Sequence, residues 1–197
     1  GVPGQLAFSL GRRYESTRPG TDGLAIRQRG RSLSSHLEQQ LQRDIDQIRD
    51  KVRLLADLTL RALEDAVGSL TQRNAKLANE AILRDSRIDD LESAIDAMCV
   101  EFMVRHIPVA KHLRFAHSVA KIVVELERIG DHCCNIARRA TYVHPPILSS
   151  GSLERLGQET RGMVRMAVDA FIGSDAGIAR TVIKSDDSVD ELYGQIY

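Results

Sequence analysis

Apolar residues recur at intervals of three or four positions along most of the chain from residue 36 onward. This spacing is the period of amphipathic α-helices, and alternation with a period of two, as in strands, is not evident. Proline interrupts the pattern only at Pro108 and at the pair Pro145 and Pro146. Since proline ends or kinks a helix, these positions divide the pattern into separate helical segments.

The pattern predicts five helices, and the connections between them are short. They cover about residues 36–70, 77–107, 109–142, 152–171 and 174–197. Ser152 is the predicted N-cap of the fourth helix, and Ser174 or Asp175 marks the beginning of the fifth. Short connections make successive long helices run antiparallel, so we expect a helical bundle.

An internal repeat organises these helices. The segment Arg84–Leu91 is similar to Ser185–Leu192 at an offset of 101 positions, which makes the second and fifth helices equivalent. We therefore predict an all-α fold, an elongated antiparallel three-helix bundle repeated twice, with the second repeat incomplete in this sequence. The predicted units are a basic N-terminal arm, a first repeat, a linker and a truncated second repeat, at residues 1–35, 36–142, 143–151 and 152–197.

Charge is unevenly distributed although 27 basic and 27 acidic residues cancel over the chain. Residues 1–35 hold six arginines against two acids and show no helical period, so we expect a disordered basic arm or a cloning remnant. Zero net charge argues against a nucleic-acid-binding protein. No apolar run is long enough to span a membrane. The three cysteines fit reduced thiols and a cytoplasmic location.

Candidate chemistry lies on the third helix. Glu127 and Asp131 share one ridge at the edge of its apolar stripe, and like charges four positions apart repel. Arg128 can assist only Asp131 of this pair, so a counter-charge must come from another helix, another subunit or a bound cation. Oxygen ligands suit Mg, Mn or Fe, and Zn also accepts them. An exposed acidic pair without a ligand is the alternative. Gly130 indicates close approach of another backbone or a bulky ligand.

Other chemically active residues favour structural interpretations. Cys133 falls on the apolar stripe and Cys134 follows it, so we expect buried thiols rather than a soft-metal site. The histidines form neither an HExxH nor an ExxH arrangement, which argues against a di-iron oxidase. On the residues alone, a metal-dependent hydrolase or oxidase built on a bundle and a purely structural helical scaffold remain open.

Three ordered motifs resemble the PhoU family of phosphate-signalling proteins. Glu125–His132, followed by Asn135–Ala137, is similar to the family signature, in which Glu127 and Asp131 match ExxxD. Pro108–Arg114 is similar to the proline-led start of the same helix, and Ile88–Glu92 to the second-helix motif. The resemblance covers about residues 36–197. Within it, His112 stands where an acidic residue is common, and the second ExxxD motif is not part of this sequence.

The resemblance implies two similar three-helix bundles, no catalytic activity, and multinuclear iron or zinc clusters held by the carboxylates Glu127 and Asp131. Asp89 and Glu92 are further candidate metal or motif residues. It also implies a negative regulator of the phosphate-starvation response that acts between the ATPase subunit of the phosphate-specific ABC transporter and a membrane sensor histidine kinase. We expect a homodimer that reaches the membrane only through its partners. An accessory domain of a different phosphate or ion transporter and a metal-binding helical scaffold are the alternatives.

Overall fold

The computed structural model of the chain describes residues 21–142 and 150–196, with side chains from Ser35 in the first stretch and from Gly151 in the second. Over these residues the chain forms five helices and no strand, as predicted. They are α1 (Thr21–Thr71), α2 (Ala75–His106), α3 (Ala110–Ala140), α4 (Ser150–Gly173) and α5 (Ala176–Ile196). Residues from Leu41 onward form one compact unit, and the packing described below lies within it.

Three helices, α1, α2 and α4, begin earlier than the apolar pattern indicates, α2 by two residues at Ala75. α1 begins at Thr21 rather than at His36, so the predicted basic arm is helical from Thr21 to Ser35. Leu, Ala, Arg and Gln favour helix without forming an apolar stripe, which is why periodicity missed these turns. α4 begins at Ser150, so Ser152 lies within the helix rather than at its cap. The rest of the predicted arm, residues 1–20, and most of the predicted linker, residues 143–149, lie outside the described residues.

The core is formed by α1, α2 and α3. Apolar side chains from all three helices are almost completely shielded from solvent, and burying each of them contributes roughly 1.5–3 kcal/mol. The largest are Ile48, Val52 and Leu55 of α1, Ile88, Ile95 and Phe102 of α2, and Val119 and Val123 of α3. A hydrogen bond adds to this packing, since Thr59 Oγ1 donates to the Leu126 carbonyl oxygen at 3.3 Å.

The α2–α3 hairpin is defined by its ends. Asn74 caps α2, because its Oδ1 accepts hydrogen bonds from the backbone N–H groups of Lys76 at 3.0 Å and Leu77 at 3.4 Å. At the other end, Ile107 adopts a left-handed conformation with φ of 43°, and Pro108 follows. This reversal makes α3 run back along α2.

The α4–α5 pair packs against α1 and α3 through α4. Phe171 stacks on Phe115 of α3, with ring centroids 5.9 Å apart and an interplanar angle of 7°. Gly157 lies against Val67 of α1, where a Cβ atom would be 3.0 Å from Val67 Cγ2. Arg161 Nη2 lies 2.9 Å from Glu64 Oε2. These contacts join the two predicted repeats.

The beginnings of α2 and α5 agree with the predicted repeat. Asp175 Oδ1 accepts hydrogen bonds from Gly177 N at 2.7 Å and Ile178 N at 3.0 Å, as Asn74 does for α2. The two helices begin at Ala75 and Ala176, which are separated by the repeat offset. None of the described helices is long and apolar enough to cross a membrane.

Candidate functional site

The buried face of α3 determines where its acidic residues lie. Val119, Val123, Leu126 and Cys133 are buried, as the sequence pattern predicts, with Gly130 among them. Glu127 is half-buried at the edge of this stripe, and Asp131 one turn later is exposed. The predicted ridge of two carboxylates beside the packed seam is therefore present.

Gly130 brings α2 close to this ridge. A Cβ atom at residue 130 would lie 2.9 Å from Cδ1 and 3.2 Å from Cγ2 of Ile88, whose side chain is fully buried. The close approach expected at Gly130 is thus made by a side chain of α2. Asp89 follows Ile88 in sequence, so the same contact places acidic residues of α2 beside those of α3.

Five carboxylates belong to this region, and we call them the carboxylate cluster. Asp85, Asp89 and Glu92 come from α2, and Glu127 and Asp131 come from α3. Burial raises the pKa of Glu127, and the negative charges of Asp131, Asp89, Glu92 and Asp85 raise it further. Burial also raises the pKa of Asp89, followed by the charges of Asp85 and Asp131. The four residues predicted from the sequence therefore act on one another electrostatically across the two helices.

Asp85 is the member that the sequence analysis missed. It precedes Asp89 by four positions and Glu92 by seven, the spacing of one helix face, and this spacing could have identified it. Asp85 Oδ1 is buried and has no hydrogen-bond partner among the described residues. Burial is the main cause that raises the pKa of the neighbouring Cys134 thiol to about 11, and the Asp85 carboxylate raises it further.

The cluster is not neutralised by basic side chains. Among the residues that the structure describes, none of its five carboxylates forms a salt bridge. Arg128, which the sequence placed within reach of Asp131, instead pairs with Glu125, with Nη1 3.2 Å from Oε1. Arg84 pairs with Asp65 of α1. The cluster therefore has an excess of negative charge.

The cluster supplies the oxygen ligands of a cation site, but its side chains are not arranged around a single cation position. Carboxylate oxygens are the ligands of hard and intermediate cations. Within residues 21–142 and 150–196, no group of three or more His, Cys, Asp or Glu side chains is arranged around a common point that could hold a metal ion. Cation binding at Glu127 and Asp131 would therefore require side-chain rearrangement.

The three cysteines are buried, as expected for structural thiols. Burial is the main cause that raises the pKa of Cys99 to about 11 and of Cys133 to about 12. Because the thiolate is the reactive form, these groups are not nucleophiles near neutral pH.

Comparison with known proteins agrees with the motifs and the fold. A family model described as PhoU domain matches residues 52–140 and 153–197. The chain is 35% identical over 165 residues to a protein of Pseudomonas putida named "Phosphate-specific transport system accessory protein PhoU homolog", covering 82% of this chain and 64% of that protein. A homolog of the same name from Aquifex aeolicus is 35% identical over 156 residues, covering 78% of this chain and 71% of that one.

A solved structure shows the same arrangement of helices. The crystal structure of PhoU from Pseudomonas aeruginosa superimposes with a TM-score of 0.75 at 30% sequence identity, covering 79% of this chain and 76% of that one. This likeness confirms the predicted fold class. With the family model matched on both repeats and relatives above 30% identity, the chain belongs to the PhoU family.

Proposed function

We propose that this chain is an accessory protein of a phosphate transport system and a negative regulator of the phosphate-starvation response. The observation that carries the proposal is its 35% identity to a phosphate-specific transport system accessory protein over 82% of the chain. The proposed partners are the ATPase subunit of the phosphate-specific ABC transporter and a membrane sensor histidine kinase. The protein acts in the cytoplasm, as a homodimer.

The proposed role is that of an adaptor and not of an enzyme. An adaptor needs long faces that can contact two partners, and α1, α2 and α3 supply helices of 51, 32 and 31 residues. Such a protein changes kinase output if the transporter-bound form favours one kinase state over the other. The buried thiols, which remain protonated near neutral pH, are in keeping with a role without covalent catalysis.

The carboxylate cluster is the proposed cation site of this adaptor. Glu127 and Asp131, with Asp89 and Glu92, would supply oxygen ligands to iron or zinc, and Asp85 lies beside them. The support is electrostatic, since carboxylates with raised pKa values and no salt bridge among the described residues gain most from a bound cation.

The first experiment measures a phosphate-starvation reporter in phosphate-rich cells that lack this gene. High reporter output that the complete gene suppresses on reintroduction is the expected result. Low output in the deletion strain would contradict negative phosphate regulation. The accessory domain of a different phosphate or ion transporter would then be the better description, tested by uptake of other ions.

The second experiment tests the cluster separately from the regulatory role. Glu127→Ala combined with Asp131→Ala should lower the iron or zinc bound to purified protein and leave helicity by circular dichroism unchanged. Glu125→Gln is the matched control, because Glu125 lies on the same helix but is exposed and paired with Arg128. Unchanged metal content in the double variant would remove these residues from the cation site without affecting the reporter result.

A further inference from the structure

The connection between α2 and α3 carries a group of exposed aliphatic side chains. Val104 is 76% exposed, Ile107 85% and Val109 72%. We call the group the hairpin tip. Its members are Val100, Met103, Val104, Ile107, Val109 and Leu113. Single exposed apolar residues are common on protein surfaces, but a contiguous group at one end of a hairpin marks a surface that contacts something.

The backbone conformation at the tip is a second unfavourable feature, in addition to the exposure of its aliphatic side chains. Ile107 has φ of 43°, a left-handed conformation that β-branched residues avoid and that glycine or asparagine adopts far more easily. Its N–H donates to the Met103 carbonyl oxygen at 3.2 Å, and Pro108 follows. Neither the conformation nor the exposure of Ile107 is explained by stability of the isolated chain.

Basic side chains accompany the tip. Arg105 is neutralised, since it pairs with Asp44 of α1 at 3.0 Å and with Glu101. Lys111 and Arg114, on the first turns of α3, are exposed and form no salt bridge among the described residues. Glu101, already paired with Arg105, is the only acidic residue between Val100 and Arg114. The tip therefore combines projecting aliphatic groups with unpaired positive charge.

We propose that the hairpin tip inserts into the surface of an anionic lipid bilayer. Aliphatic side chains at the end of a helical hairpin can enter the boundary between headgroups and acyl chains, while Lys111 and Arg114 contact the phosphates of acidic lipids. Between Val100 and Arg114, the charged side chains without a salt-bridge partner among the described residues are both positive, opposite in sign to the bilayer. This contact is direct, in contrast to the expectation from the sequence that the chain reaches the membrane only through partners.

The sharpest test uses tryptophan, because the natural chain contains none. Val104→Trp places a single fluorophore on the tip, and Leu83→Trp places one on an exposed position of the same helix, 21 residues away. Vesicles of phosphatidylcholine alone and of phosphatidylcholine with phosphatidylglycerol are the probes. For Val104→Trp, tryptophan emission should shift to shorter wavelength with the anionic vesicles but not with the vesicles of phosphatidylcholine alone. For Leu83→Trp, the emission should stay unchanged with both.

Vesicle co-sedimentation of the full chain provides the second measurement. Ile107→Asn removes the most exposed aliphatic group, and asparagine tolerates a positive φ, so the fold is retained. It should weaken partition onto anionic vesicles by roughly tenfold, whereas Leu83→Asn should leave it unchanged. Lys111→Gln with Arg114→Gln should weaken it and reduce the preference for anionic lipid.

Three results would overturn the proposal. The first is no emission shift for Val104→Trp, and the second is an equal shift for both tryptophan variants, which would indicate adsorption through other parts of the chain. The third is a change of oligomeric state in Ile107→Asn, by analytical ultracentrifugation, with unchanged vesicle binding. That last result would identify the tip as a protein–protein interface instead.

Discussion

The side chain of Ile88 lies against the backbone of Gly130, so that a Cβ atom at residue 130 would be 2.9 Å from Ile88 Cδ1. This contact brings α2 and α3 together at the point where both helices carry carboxylates. A larger residue at position 130 would separate the helices, and with them Asp89 from Glu127. Packing and the electrostatics of the site are therefore coupled at one glycine.

Gly130→Ala should destabilise the protein although alanine favours helix. The gain in helix propensity is about 1 kcal/mol, while forcing a methyl group against a fully buried isoleucine costs about 1–3 kcal/mol. We expect a net loss of roughly 1 kcal/mol, measured from the midpoint of urea unfolding.

The double variant Gly130→Ala with Ile88→Val provides the control, because valine lacks the Cδ1 atom that the new methyl group meets. The two substitutions should be less destabilising together than the sum of their separate effects. A Gly130→Ala protein more stable than the natural chain would show that the contact is loose.

Removing the charge of Glu127 should stabilise the metal-free protein, because this charge is repelled by the other members of the carboxylate cluster. The folded-state pKa of Glu127 is raised by burial and by neighbouring carboxylates, so protonation of this group favours the folded state. That contribution is fully present below the unfolded-state pKa, ordinarily 4.5, and is lost as pH rises through the folded-state value. Glu127→Gln should therefore exceed the natural chain in stability near pH 7, by less than about 1 kcal/mol after solvent screening.

The comparison requires chelator-treated protein and unfolding curves at several pH values. The difference between Glu127→Gln and the natural chain should shrink as pH falls toward the unfolded-state pKa. Glu125→Gln, on the exposed face and paired with Arg128, should not show this stabilisation. Adding iron or zinc should reverse the order if the cluster binds the cation, since a ligand that binds the folded state stabilises it. A destabilised Glu127→Gln protein in chelator would contradict the repulsion.

Much of the fold could be read from the sequence because its signals are local. Pro108 fixed the end of the second helix, and Asp175 the beginning of the fifth. The stripe of Val123, Leu126 and Cys133 indicated the buried face of α3 from its spacing alone. Local signals failed at Thr21, where α1 begins without an apolar stripe.

Contacts between helices, in contrast, could not be predicted from local sequence signals. Arg128 has acidic residues three positions away on both sides, Glu125 and Asp131, and only the structure shows that it pairs with Glu125. The spacing of Asp85 places it on the same face of α2 as Asp89 and Glu92. Only the contact of Ile88 with Gly130 shows that this face lies beside the carboxylates of α3. The left-handed conformation of Ile107 also contradicts its residue preference, so sequence could not predict it.

Ile107→Gly or Ile107→Asn should stabilise the isolated protein. The side chain is 85% exposed and contributes little burial, while a β-branched residue at φ of 43° is strained by about 1 kcal/mol or more. The unfolding midpoint should rise for asparagine. Glycine should give a smaller gain, because it also increases the entropy of the unfolded chain. Lower stability in both variants would mean that the isoleucine makes a packing contribution that outweighs its strain.

Asp44 should show the opposite pH dependence to the carboxylate cluster. His106 Nε2 donates to Asp44 Oδ2 at 2.8 Å and Arg105 Nη1 lies 3.0 Å from the same oxygen, which joins the end of α2 to α1. The hydrogen bond from His106 is the main cause that lowers the pKa of Asp44, with Arg105 assisting and burial opposing. Its stabilising contribution is therefore present above the unfolded-state pKa, ordinarily 3.8, and is lost as pH falls through the folded-state value.

Asp44→Asn should accordingly destabilise the protein near neutral pH by roughly 1 kcal/mol, with the loss vanishing in strong acid. Asp46→Asn is the matched control, since Asp46 lies two positions away but is exposed and its Oδ1 is 3.5 Å from Arg49 Nη1. The other partner of this oxygen is Gln42 Nε2, which donates to it at 2.9 Å and can donate equally to an asparagine oxygen. The effect of Asp46→Asn on the unfolding midpoint should be close to zero at every pH.

Because Arg105 and His106 adjoin the hairpin tip, a loosened Asp44 contact should also raise hydrogen exchange in the last turn of α2 and leave exchange at Asn74 unchanged. Equal effects of the two substitutions would show that this junction does not hold the end of the hairpin in place.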